Sequence, residues 1–83
     1  MDNIQFNISY LGDNIVVDTE PEENVIAIIY PVFLNEQYSF TTYQDEEDEW
    51  KILREPNGKT PMVENELWKM IIKKLTYEIR YAA

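Results

Sequence analysis

Five consecutive carboxylates at residues 45–49 are the strongest candidate for chemistry in this sequence. Carboxylate oxygens can hold Ca²⁺, but calcium loops space their ligands along a tight turn that usually contains Gly. These five residues are contiguous and include no Gly. We therefore expect a solvated hairpin loop, with docking onto a basic protein as the functional alternative. The acidic loop consists of Asp45, Glu46, Glu47, Asp48 and Glu49.

Other kinds of chemistry are restricted by the residues that the chain lacks. It contains no Cys and no His, which removes thiolate nucleophiles, imidazole bases and the commonest zinc ligands. A carboxylate could serve as a general acid only where burial raises its pKa. Glu36 and Glu78 come closest to apolar surroundings, but a hairpin tip and a helix flank explain them more simply. We expect no enzyme, no metal site and no cofactor.

The charges are strongly segregated along the 83 residues. Residues 1–49 carry 12 acidic side chains and no Lys or Arg, whereas residues 50–83 carry all 7 basic side chains, for a net charge of −9. This acidity argues against binding to nucleic acid, which needs clusters of Lys and Arg. It is compatible with an inhibitor that imitates nucleic-acid phosphates and binds a basic protein, although the carboxylates cluster in two loops rather than along one face.

The aromatic residues favour a core over a ligand pocket. We expect Tyr38, Phe40 and Trp50 to share one face of a sheet, where aromatic side chains at strand spacing commonly form core. A pocket lined by them is the functional alternative. The hydroxyl groups of Tyr43, Tyr77 and Tyr81 are expected to lie at the rim, in contact with water.

Two hairpins are predicted in the first half of the chain. Apolar residues alternate with polar ones from Ile4 to Tyr10, and Gly12-Asp13 would form a tip that places Ile8 opposite Val17. A second tip at residues 35–36 would place Phe33 opposite Tyr38 and Pro31 opposite Phe40.

The apolar run at residues 25–34 is predicted to be the third strand, with a bulge or an edge position at Pro31, which has no N–H to donate. The fourth strand covers residues 37–43, and the fifth covers residues 50–54. Residues 55–59 should form a turn.

One amphipathic helix should close the chain. Thr60 is a suitable N-cap and Pro61 a suitable first residue, and the apolar residues that follow recur on one broad arc as far as Tyr81. We predict a single α+β domain over residues 1–83, an antiparallel β-meander of four to five strands with this helix packed on one face. The expected core is Ile4, Phe6, Ile8, Ile15, Val17, Val25, Ile29, Phe40, Trp50, Ile52, Leu67, Ile71 and Leu75.

The second half of the chain resembles a group of small uncharacterised bacterial proteins. The resemblance rests on Tyr38-Ser39-Phe40, the acidic loop, Trp50-Lys51-Ile52, a Gly turn and Glu66-Leu67-Trp68 at the opening of the terminal helix. It implies a β-meander closed by one C-terminal helix, and it implies no activity.

The third strand points to an interaction function because both of its faces are apolar, whereas a single helix can cover only one face of the sheet. We expect a small non-enzymatic protein-interaction domain that forms a homodimer through this surface, with an acidic inhibitor of a basic protein as the alternative. The alternative that needs no partner is a central strand whose second apolar face is covered by loops of the same chain. The predicted interaction surface consists of Ile26, Ile28, Tyr30, Val32 and Leu34.

No apolar run approaches the 20 or so residues needed to cross a membrane, and no signal peptide is evident at the N-terminus. We therefore expect a cytoplasmic protein that does not associate with membranes.

Overall fold

The computed structural model describes residues 3–25 and 27–81, and within them the predicted α+β architecture is confirmed. The sheet is antiparallel, with strand order β1-β2-β4-β5-β6, and the short β3 pairs with β4. The chain therefore runs as a meander that ends in one helix. The elements are β1 (Ile4–Tyr10), β2 (Asp13–Thr19), β3 (Glu22–Glu23), β4 (Ile28–Leu34), β5 (Gln37–Gln44), β6 (Trp50–Ile52) and α1 (Asn65–Tyr81).

The first hairpin forms, but its tip differs from the prediction. Tyr10 pairs with Asp13, so Leu11 and Gly12 form the two-residue turn, with φ of 51° and 83°. Positive φ at both positions is typical of a type I′ turn, whose twist matches that of the strands. Ile8 consequently lies opposite Ile15 and not opposite Val17. Because the register differs by two residues, every side chain still points to its predicted face.

β4 lies inside the sheet, and the ladder on one side of it is interrupted at two prolines. β2 pairs with Val32–Leu34 and β3 pairs with Ile28 and Ile29, in one continuous register. Within that register Pro21 would face Tyr30, and Pro31 would face Glu20. Proline has no N–H to donate, so the gap falls where the ladder could not be completed. β2 and β3 are thus one strand interrupted at the prolines.

A bulge separates the two halves of the β4–β5 hairpin. Asn35 and Glu36 form the predicted tip, and Phe33 pairs with Tyr38 as expected. The register then shifts: Val32 pairs with Phe40, which leaves Ser39 as an extra residue in β5. The prediction that Pro31 lies opposite Phe40 is wrong, because Pro31 pairs with Thr41. Because side chains alternate along a strand, one extra residue moves every side chain on one side of the bulge to the face opposite to the one that regular pairing would give.

The helix begins four residues later than predicted. Its first residue is Asn65, and the Trp68 N–H donates to the Glu64 carbonyl at 2.9 Å, so Thr60 is not its N-cap. The preceding coil instead brings Val63 against the core. Glu66 in the first turn and Arg80 in the last turn have the signs that the helix dipole favours.

The core lies between α1 and one face of the sheet. Ile71 and Leu75 of the helix are fully buried against side chains from four strands. Two predicted core residues are wrong: Val25 is fully exposed, and Ile29 lies on the opposite face of β4. The buried apolar residues are Phe6, Ile8, Val17, Tyr30, Val32, Phe40, Ile71 and Leu75.

Candidate functional site

The structure places the predicted interaction surface mostly beneath the helix. Tyr30 and Val32 are buried in the core, and Leu34 is half-buried against it. Ile28, at the end of the same face, keeps 37% of its surface exposed, and Ile26 lies outside the described residues. Tyr30, Val32 and Leu34 therefore belong to the face that α1 covers, and the uncovered apolar surface of β4 is the opposite one.

That opposite surface, the open face, is apolar through its centre and carries exposed aromatic side chains, which are enriched in protein interfaces. β1 contributes only polar side chains to it, and the apolar side chains come from the strands beyond. Its apolar and aromatic members, by strand register, are Val16, Ile29, Pro31, Phe33, Tyr38, Tyr43 and Leu53.

Phe33 and Tyr38 form an exposed aromatic pair on the open face. Their rings meet edge to face at a centroid distance of 5.7 Å, and 37% and 46% of their surfaces are exposed. The Tyr38 hydroxyl shares a hydrogen bond of 2.8 Å with Thr41 Oγ1 and donates to Glu55 Oε1 at 3.4 Å. These bonds hold Tyr38 in place, so the pair is a preorganised aromatic surface. Tyr38 therefore does not share a face with Phe40 and Trp50, which corrects the sequence prediction.

The acidic loop is an ordered hairpin connection built around Asp45. Asp45 Oδ1 accepts the N–H groups of Glu47 at 2.8 Å and Glu49 at 3.0 Å. The backbone closes the loop through Asp45 N–H, which donates to the Glu49 carbonyl at 2.9 Å. Gln44 Nε2 adds a bond of 3.1 Å to the Asp48 carbonyl, and Asp48 adopts a positive φ of 63°.

Asp45 also forms an ion pair, at 3.0 Å, between its Oδ2 and Lys51 Nζ. The Glu49 N–H, followed by Lys51, lowers the pKa of Asp45. The hydrogen bond and charge of Asp45 in turn raise the pKa of Lys51. Both carboxylate oxygens of Asp45 thus have partners, which makes Asp45 the organiser of the loop. Glu46, Glu47, Asp48 and Glu49 are exposed and face solvent.

The remaining candidates for chemistry are scattered. Glu36 is exposed at the second hairpin tip, and Glu78 is half-buried on the helix. Within residues 3–25 and 27–81 there is no group of three or more acidic residues arranged to hold a metal ion. Tyr77 and Tyr81 are exposed and Tyr43 is half-buried, in agreement with a position at the rim.

The sequence contained one signal for the open face. The turn at Asn35-Glu36 places Phe33 opposite Tyr38. Because these two large aromatic side chains lie next to the hairpin tip, they cannot both reach a core that is centred further along the strands, which leaves them for the open face. The sequence contains no comparable signal for the bulge at Ser39. A prediction that omits the bulge assigns the buried and exposed faces of β4 the wrong way round.

No helix of the described part of the chain is long and apolar enough to span a membrane. No family model, no curated protein and no solved structure matches the chain. The resemblance to bacterial meander proteins therefore stays a prediction, as do the absence of catalysis and the cytoplasmic location.

Proposed function

We propose that this chain is a non-enzymatic protein-interaction domain that forms a homodimer through the open face of its sheet. The observation that carries the proposal is the exposed Phe33–Tyr38 pair on an apolar face that α1 does not cover. Exposed aromatic side chains that neighbouring bonds hold in place are characteristic of the central residues of interfaces.

The size of the face favours a weak dimer. The area of the open face follows from the dimensions of the sheet. Five strands about 4.8 Å apart give its width, and seven residues at about 3.4 Å each give its length, so the face covers roughly 600 Å² per protomer. Standard interfaces bury about 800 Å² per partner, and smaller ones belong to transient complexes. We therefore expect dissociation constants in the micromolar range and above.

A second copy is the occupant that suits this face. When two copies pack face to face about a two-fold axis, the apolar centre around Phe33 meets the same apolar centre of the other copy, so the surface is complementary to itself.

Sedimentation velocity over a hundredfold range of protein concentration tests the proposal. We expect the weight-average sedimentation coefficient of the wild type to rise toward that of a dimer. Phe33→Asp should stay monomeric throughout, because it places two carboxylates in the apolar centre of the interface. Met62→Asp is the matched control, since Met62 is almost fully exposed in the coil before α1 and outside the sheet.

A wild type that stays monomeric at the highest concentration, or a Phe33→Asp variant that still dimerises, would overturn the homodimer. Circular dichroism should confirm that both variants are folded. Ile28→Glu, on the helix side of the sheet, should leave association unchanged.

A second candidate function is binding to a basic protein, as an inhibitor or nucleic-acid mimic would. The observation that favours it is the exposure of Glu46, Glu47, Asp48 and Glu49 on an ordered loop, with Lys51 engaged by Asp45. Such binding should weaken steeply with added salt, because its attraction is mainly Coulombic. Retention on an immobilised basic protein at about 50 mM and about 500 mM NaCl tests this, and retention unaffected by salt would contradict it.

A further inference from the structure

β1 is a long and unprotected edge of the sheet. It has seven residues and pairs with β2 in one unbroken register, and no other strand of the described residues lies beside it. Exposed edges are usually protected by short strands, by Lys or Pro, or by bulges. β1 contains no Pro and no charged residue, whereas β6 at the opposite edge has only three residues with Lys51 in the middle. The edge of β1 is therefore open to another extended segment.

The main-chain groups of Asn7 point to this free edge. Val16, which lies opposite Asn7, has its own groups turned the other way: its N–H donates to Asn35 Oδ1 at 2.9 Å, and its carbonyl accepts the Asn35 N–H at 2.9 Å. Asn7 and Val16 are thus a non-hydrogen-bonded pair, so the N–H and carbonyl of Asn7 are directed away from β2. Because this direction alternates along a strand, the groups of Gln5 and Ser9 are directed to the free edge as well.

A groove with a volume of about 490 Å³ lies between this edge and one flank of α1. It is lined by Asn7, Ile8 and Ser9 of β1 and by Met70, Lys73, Lys74 and Tyr77 of the helix. Consecutive strand residues point to opposite faces, so the part that the three share is their main-chain edge. On the helix side, Met70 and Tyr77 keep 38% and 59% of their surfaces exposed. The groove therefore combines main-chain donors and acceptors with apolar side chains.

The charge of the groove is opposite to that of the whole chain. The chain has a net charge of −9, yet none of the described residues that line the groove is acidic, and two are lysines. Neither Lys73 nor Lys74 has an ion pair within the described part of the chain. The groove is thus complementary to carboxylates. A second copy suits it poorly, because pairing of two β1 edges about a two-fold axis would bring the lysines of both copies to the same place.

We propose that the free edge of β1 binds an extended acidic segment of a partner protein, which joins the sheet as an additional strand. The segment bonds to the free main-chain groups of β1, and its alternate side chains enter the groove. Carboxylates among them reach Lys73 and Lys74. An apolar side chain between the carboxylates packs beside Met70 and Tyr77. Strand addition of this kind takes its affinity from main-chain bonds and its specificity from the alternate side chains.

A nuclear magnetic resonance titration with a synthetic strand tests the site. The probe is acetyl-Thr-Glu-Thr-Val-Thr-Glu-Thr-amide, with versions that carry Gln or Lys in place of Glu. On binding, amide hydrogen exchange should slow at Gln5, Asn7 and Ser9. It should stay unchanged at Phe6 and Ile8, whose N–H groups already bond to β2. The Glu peptide should bind more tightly than the Gln peptide, and the Lys peptide should not bind.

Position 7 offers a matched pair of variants for the main-chain bonds. Asn7→Pro removes the N–H that points to the free edge, and an edge strand tolerates Pro where that N–H faces solvent. This variant should lose binding of the Glu peptide. Asn7→Ala removes the same side chain but keeps the N–H, so it should bind as the wild type does. Circular dichroism should confirm that both variants are folded.

Two double variants test the charge of the groove and leave β1 intact. Lys73→Gln combined with Lys74→Gln should weaken binding of the Glu peptide about five- to tenfold at low salt. Lys69→Gln combined with Arg80→Gln is the matched control, because it removes two positive charges from the same helix outside the groove. The control should weaken binding about twofold or less, since distant exposed charges are screened.

Three results would overturn the proposal. The first is a Glu peptide that shifts no resonance at about 50 mM NaCl, and the second is equal weakening by the two double variants, which would show attraction to diffuse charge only. The third is slow exchange at Asn7 without peptide that becomes slower as protein concentration rises, which would show that a second copy occupies the edge. Phe33→Asp should bind the peptide as the wild type does, so this test and that of the homodimer fail separately.

Discussion

Phe40 lies directly opposite Val32 across β4 and β5, and both side chains are completely buried beneath the helix. One position along β4, Phe33 faces Tyr38 on the other side of the sheet. Tyr38 and Phe40 would share a face in a regular strand. The extra residue Ser39 separates them and so creates both the core and the open face.

Deletion of Ser39 should be tolerated. With one residue fewer, Tyr38 still faces Phe33 and the following Phe still faces Val32, so the ladder becomes regular and both faces are preserved. We expect a loss of about 1–2 kcal/mol in the free energy of unfolding, from the altered twist. Deletion of Thr41 is the control, because it turns the rest of β5 over and should prevent cooperative unfolding in urea. If deleting Ser39 is as damaging as deleting Thr41, the bulge is misplaced.

Thr19 and Thr42 form a matched pair for a test of buried hydroxyl groups. Both are buried, but Thr19 Oγ1 has no partner among the described residues, whereas Thr42 Oγ1 donates to the Lys51 carbonyl at 2.7 Å. Thr19→Val should raise the free energy of unfolding by about 1 kcal/mol, since an unpaired polar atom is removed. Thr42→Val should lower it by a similar amount. Urea denaturation of both variants measures this, and equal effects of the same sign would contradict it.

The last strand is attached to the helix through Trp50 and Thr76. The Trp50 Nε1–H donates to Thr76 Oγ1 at 3.1 Å, and that hydroxyl donates to the Ile72 carbonyl at 2.8 Å. Thr76→Val should lower the free energy of unfolding by about 1–2 kcal/mol, because it leaves the indole N–H unpaired. Thr76→Ser keeps the hydroxyl and should recover most of the loss. A double-mutant cycle with Trp50→Phe should show coupling, and additive effects would exclude the bond.

The pH dependence of the acidic loop follows from Asp45. Its pKa is lowered in the folded chain, so it stabilises the fold when ionised, and this contribution is lost as the pH falls through the lowered pKa. We expect the Asp45 carboxyl resonance to titrate below about pH 3.9, the value for an unstructured aspartate.

Lys51→Gln serves as the control for that titration. It should move the midpoint only part of the way back, because the Glu49 N–H contributes more than Lys51 does. Two results would contradict the loop geometry. One is an Asp45 titration midpoint at the unstructured value in the wild type, and the other is a midpoint that returns fully to that value in Lys51→Gln.

Local signals in the sequence predicted much of the fold. Alternation identified β1, the Asn35-Glu36 pair located the second tip, and the arc of apolar residues identified the helix that buries Ile71 and Leu75. These signals act within a few residues, where turn geometry and periodicity decide the outcome.

Local signals could not predict which face of β4 is buried. Residues 28–34 are apolar on both sides, so the choice of buried face depends on pairing with β5, and the bulge at Ser39 reverses that choice. The sequence pattern therefore predicts Tyr30 and Val32 on an interaction surface and Ile29 in the core, which is the reverse of the arrangement that the pairing with β5 produces.

Thiol labelling tests the central claim, that Val32 faces the core and Phe33 faces outward, most directly. The chain has no Cys, so Val32→Cys and Phe33→Cys each introduce a single reporter. Under native conditions we expect the thiol at position 33 to react with Ellman's reagent at the rate of an exposed thiol, and to slow as protein concentration rises. The thiol at position 32 should react at least about 100-fold more slowly, through opening of the fold. Equal rates, or faster labelling at position 32, would contradict the account.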